Sequence, residues 1–186
     1  LNLIINKKSI TLSNFKGVEE KEYFNIYWFI EWYAEQNIKY FDNETIEYLF
    51  EIINKKFAQE IQETNERCDY FSNLAKIALL HQKPEYIKRY SYQCWDLILG
   101  YGWRKDVGVF EVLDSIEYLS QIHPREALLY LQEISSEVTQ ILEYTDGKET
   151  RHALPQYTKL LSSLNLSCLT SKFEWEVKNG DWHNAE

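Results

Sequence analysis

Apolar residues recur at three- and four-residue steps along most of this chain, and Gly, Pro and Asx breaks punctuate the recurrence. That spacing stacks side chains on one face of a helix and cannot hold one face of a strand, so it confines the chain to an all-α fold. Asp42-Asn43 precedes a stripe of Ile46, Leu49, Phe50, Ile53, Phe57 and Ile61. An Asx side chain accepts from the free N–H groups of a first helical turn, which predicts a start there. Phe71, Leu74, Ala75, Ala78 and Leu79 carry the next stripe towards Pro84. Pro84 suits the first turn of another helix, where its missing N–H is harmless, and that helix runs past Tyr90, Cys94 and Trp95 to Gly100-Tyr101-Gly102. Val109, Val112, Leu113, Ile116, Leu119 and Ile122 form a further stripe that ends at His123-Pro124. Pro124 then leads a helix through Ala127, Leu131 and Ile134 towards Leu142, and Asp146-Gly147 is a turn signal. Helices starting near Leu154-Pro155 and at Asn165 follow, and Asp181-Trp182 opens one more.

Leu1 to Ser13 departs from this pattern. Leu3-Ile4-Ile5 and Ile10-Thr11-Leu12 flank Asn6-Lys7-Lys8, the pattern of a short β-hairpin. Residues 1–16 are therefore expected to be an N-terminal extension or the end of a preceding domain, and 17–186 the helical unit. The chain begins at Leu1, contains no Met and stops in mid-pattern, so a segment of a longer protein, truncated at its C-terminus, is expected.

Tyr23 to Ala34 reads YFNIYWFIEWYA and holds seven aromatic residues. The run is shorter than the roughly 20 apolar residues of a membrane span, and Asn25 and Glu31 interrupt it. No membrane partner is expected. Such a helix is covered on several sides, or part of it meets another subunit or domain. Trp28 and Trp32 share a face and are expected to be its most buried pair, with Tyr33 pointing away. Trp28, Trp32 and Tyr33 are the interface candidates, and a second copy of the chain is one candidate partner.

The balance of 20 Lys and Arg against 29 Asp and Glu, a net charge of -9, excludes a general phosphate-backbone binder. Residues 17–66 hold 12 acidic and 4 basic side chains and so carry nearly all of the excess. That stretch is a solvated helix face or an acidic surface for a basic partner. Cys68, Cys94 and Cys168 are odd in number and set in apolar stripes, which points to buried thiols in a reducing, cytoplasmic setting.

Tyr92 to Ile134, with Trp95 and Leu99-Gly100 in a first helix and Pro124 opening the helix after the next, is similar to tetratricopeptide-type hairpins. Asn179-Gly180-Asp181-Trp182 resembles the start of one more repeat. The resemblance covers about half of the chain. It implies stacked antiparallel helical hairpins, an α-solenoid, that presents a face to a protein or peptide, and it carries no catalytic residue across. Degenerate arrays of this kind occur in large bacterial sensor and defence proteins, and the Asn/Lys/Ile/Tyr-rich composition agrees with such a source.

Chemistry leaves few traces. Gly100-Tyr101-Gly102-Trp103-Arg104-Lys105 lacks the third glycine and Lys-Ser/Thr of a phosphate loop. No Cys-x-x-Cys or paired His predicts a metal site, and no cofactor is implied. No Arg is followed four to six residues later by a His, the motif of one class of small helical ribonucleases. The loop Thr145 to His152 gathers Lys148, Glu149, Arg151 and His152 between apolar helices, and with Arg104 these are the candidate binding residues. The expected function is a non-catalytic interaction or sensing module of a larger bacterial protein, beside a neighbouring domain of the same chain. The alternative is a helical enzyme domain in which Arg104, Arg151 and His152 converge only in three dimensions.

Overall fold

The computed structural model describes residues 12–19, 25–36, 38–39, 41–57, 64–101, 109–135 and 155–165. These residues are helical almost throughout. Helices α1 (Leu12–Glu19), α2 (Ile26–Gln36), α3 (Asn43–Phe57), α4 (Thr64–Leu80), α5 (Pro84–Tyr101), α6 (Val109–Ser120) and α7 (Pro124–Glu133) are followed by a helical stretch at 155–165. The all-α expectation holds for every described element. Leu12, expected in the second arm of a hairpin, instead opens α1. The remainder of that hairpin lies outside the described residues. Phe15 of α1 is buried in the core.

Local chemistry sets the helix ends. The Asn25 side chain accepts from the N–H groups of Tyr27 and Trp28, so the aromatic run is divided by a cap and α2 begins at Ile26. Asp42 caps α3 through the Thr45 N–H at 2.8 Å, as its position predicts. The Lys83 N–H reaches back to the Ala78 carbonyl and the Gln82 N–H to that of Leu79, the paired bonds of a Schellman closure. Gln82 takes the left-handed conformation that this closure needs, at φ 55°. Pro84 and Pro124 each open a helix after a three-residue turn, so α4–α5 and α6–α7 are two hairpins.

Within them Ile87 and Ala127, and Cys94 and Ile134, follow the two prolines at matching steps, and all four are fully buried. Helix α4 packs on α2, α5 and α6, and α6 packs in turn on α5 and α7. Small residues allow the close approach of α4, α5 and α6. Ser91 donates to the Ser115 carbonyl at 2.8 Å, Ser115 to that of Val112, and Cys94 Sγ to that of Cys68 at 3.3 Å. The hydroxyls of Ser91 and Ser115 and the thiol of Cys94 thus each have an acceptor, which removes the cost of hiding them.

Three groups of rings fill the remaining space. Phe15, Phe29, Tyr33 and Phe41 join α1 to α2, Phe50, Tyr86 and Tyr90 join α3 to α5, and Trp95 and Tyr130 join α5 to α7. Among the described residues, no helix is long and apolar enough to cross a membrane.

Candidate functional site

The buried stripe of α2 is Ile26, Phe29, Ile30, Tyr33 and Ala34, which recurs at the three- and four-residue steps of one helix face. This corrects the expected order of burial. Trp28 is 57% exposed and Tyr33 is 0% exposed, the reverse of what bulk alone suggests. Trp28 shares its face with the exposed Glu31 and Glu35, and those carboxylates mark the wet side of the helix. Trp32 is half-buried at the margin of the core. Of the three aromatic interface candidates, Trp28 stands in solvent, Trp32 at the boundary and Tyr33 inside. Arg104, Lys148, Glu149, Arg151 and His152 lie outside the described residues.

The described residues bring together a row of acidic groups that no local motif displays. Asp69 of α4 lies near Glu31 of α2, and Glu111 of α6 near both Asp69 and Asp114. Burial, and then the Glu31 charge, raises the Asp69 carboxyl above the usual carboxylate range. Burial leads again at Glu111, followed by its own backbone as an opposing influence and then by Asp69 and Asp114. Asp114 is raised by burial, against the Gln156 amide that donates to it at 2.6 Å and the nearby Lys76 charge. The Asn73 amide donates to Asp69 at 3.4 Å. Glu111 Oε2 is buried without a hydrogen-bond partner.

The ion pairs Lys83–Glu47 and Lys88–Glu126 lie elsewhere, and Lys76 is the cation that acts on Asp114. Beside it the rings of Tyr27 and Tyr70 meet at 4.6 Å across α2 and α4. A face of crowded carboxylates and tyrosine rings favours a cationic contact, because both the charges and the ring quadrupoles attract it. No group of three or more His, Cys, Asp or Glu side chains could hold a metal ion among the described residues.

A periodic reading comes close to part of this. Asp69, Asn73 and Lys76 lie one turn apart in succession along α4, as do Glu111 and Asp114 along α6. The proximity of the two helices supplies the rest.

Two of the three thiols are hidden from solvent, and Cys168 lies outside the described residues. Cys68 and Cys94 are both 0% exposed, and burial pushes Cys68 up to about 12 and Cys94 well above its ordinary value. His81, isolated in the sequence, is 3% exposed and paired: its Nε2 lies 2.7 Å from the Tyr33 hydroxyl. The same hydroxyl accepts from the Phe41 N–H at 3.3 Å.

No family model, no curated protein and no solved structure matches the chain.

Proposed function

We propose that this chain is a non-catalytic protein-interaction module of a larger protein, and that its α2–α4–α6 face receives a basic segment of the partner. The observation that carries the reading is the row Glu31, Asp69, Glu111 and Asp114, contributed by three helices that pack in succession. Carboxylates crowded in this way repel one another until an outside cation joins them. Trp28, exposed on α2, adds an aromatic anchor of the kind enriched at contacts.

The succession of helices supports a stacked-hairpin scaffold of the tetratricopeptide type. Helices α2, α4 and α6 neighbour one another on one side, and ring contacts join α3 to α5 and α5 to α7 on the other. A sensing arm of a bacterial signalling or defence protein, acting in the cytoplasm beside a catalytic domain of the same chain, is a role that suits such a scaffold.

The test is binding of a fluorescent Lys/Arg-rich peptide, compared with its Glu-substituted counterpart, by anisotropy at low and high salt. Binding of the basic peptide alone, weakened by salt and lost in Asp69→Lys/Glu111→Lys, supports the proposal. Equal binding by the charge-reversed protein, or none by the wild type, overturns it.

A further inference from the structure

His81 sits at the C-terminal end of α4, in the turn that leads to α5, and its Nε2 meets the Tyr33 hydroxyl of α2 at 2.7 Å. The contact spans 48 positions of sequence and is a polar link between α2 and that turn. The Tyr33 hydroxyl also holds the Phe41 N–H, so one oxygen ties α2, the start of the α3 connection and the α4–α5 turn together. The other imidazole nitrogen, Nδ1, is buried with no hydrogen-bond partner. We propose that the Tyr33–His81 contact is an acid-released latch: protonation of His81 detaches α2 and Phe41 from the α4–α5 turn.

Four groups bear on the imidazole. Tyr33 faces it from α2, Lys39 from the stretch after α2 and Lys83 from its own turn, while Glu47 of α3 engages Lys83 together with the Tyr86 hydroxyl. The groups that act on His81 electrostatically are thus two ammonium ions. A second proton would put an N–H on both ring nitrogens. Nδ1 has no acceptor, so an imidazolium would bury its charge with one N–H unmatched. The closed latch therefore holds the ring neutral. Burial first, then Lys39 and Lys83, lowers His81 to about 4 from 6.5.

The sign follows from that direction. An opened latch binds the proton more readily than a closed one, so the latch is tightest above about pH 6.5 and is lost progressively as pH falls towards about 4. The consequence reaches the acidic face, because α2 carries both Glu31 and Trp28. The latch itself does not rest on the partner reading, and its test needs no partner.

The experiment is hydrogen exchange of the Phe41 amide in the whole chain, corrected for the intrinsic pH dependence of exchange. Protection is expected to fall roughly 20-fold between about pH 7 and about pH 5, the ratio that the two proton affinities of His81 set. In the His81→Gln variant, which leaves the Tyr33 hydroxyl to hold the Phe41 N–H and puts a non-titrating amide at position 81, the fall is expected to vanish. An equal fall in both proteins, or none in the wild type, overturns the latch. Where the variant does not fold, imidazole NMR of the wild type decides. A ring that protonates near pH 6.5 while Phe41 stays protected overturns the latch, and a ring that titrates only towards about pH 4, with protection lost over the range between, supports it.

Discussion

Trp95 of α5 and Tyr130 of α7 lie ring on ring, with centroids 4.7 Å apart and 18° between their planes. Tyr130 also donates to Glu126 at 3.1 Å, and Glu126 pairs with Lys88 of α5 at 3.0 Å. Two kinds of contact thus join α7 to α5, and their magnitudes differ. Trp95→Ala is expected to cost about 2–3 kcal/mol, since a half-buried ring and a stacked pair are lost together. Tyr130→Phe keeps the stack and should cost about 1 kcal/mol or less. Urea unfolding of the two variants checks this order, and equal losses would mean that the stack contributes little.

The inverted burial of α2 gives a second contrast. Trp28→Ala should change stability by no more than about 0.5 kcal/mol, because its ring stands in solvent. Tyr33→Ala should cost about 3–5 kcal/mol, since it empties a fully buried ring site beside Phe41 and His81. Thermal unfolding separates the pair directly.

Gln82 occupies the left-handed position of the α4 closure with a side chain that disfavours it. Gln82→Gly is expected to raise stability by about 0.5–1 kcal/mol, the relief of that conformation less the extra freedom of glycine when unfolded. A lower denaturation midpoint in the glycine variant would show that the Gln82 side chain contributes more than its backbone costs.

Glu47 connects α3 to the α4–α5 hairpin through Lys83 Nζ and the Tyr86 hydroxyl. The Lys83 hydrogen bond, opposed by partial burial, holds its carboxyl below the ordinary value of 4.5. A depressed carboxyl stabilises the fold above its unfolded value, and the effect is lost as pH falls through the folded one. Glu47→Gln should therefore flatten the loss of stability below about pH 4.5 while lowering stability at neutral pH. Acid titrations of unfolding in the two proteins check both halves.

What was legible in the sequence is what local chemistry decides. Asp42, Pro84 and Pro124 mark helix starts because the groups they satisfy or spare lie within one turn of them. The stripes of α3 to α7 are legible for the same reason. On α2 the period decides and ring size does not, because Glu31 and Glu35 identify the exposed side that Trp28 shares. The Tyr33–His81 contact and the Asp69–Glu111 neighbourhood depend on how separate helices meet. No spacing along one helix encodes that, so the acidic row and the paired histidine emerge only once α2, α4 and α6 are placed together.

The three-residue turns at Pro84 and Pro124 also bear on how the chain finds its fold. Closing so short a loop costs little entropy, so α4–α5 and α6–α7 can form before distant segments arrive. Phe15, by contrast, reaches Phe41 and Tyr48 only after the chain has looped back across α2. Kinetic analysis of conservative substitutions should thus find Ala78 and Ile87 largely ordered at the folding barrier and Phe15 largely unordered. The order of assembly would run outward from the middle of the chain, with the aromatic seal over α2 set last.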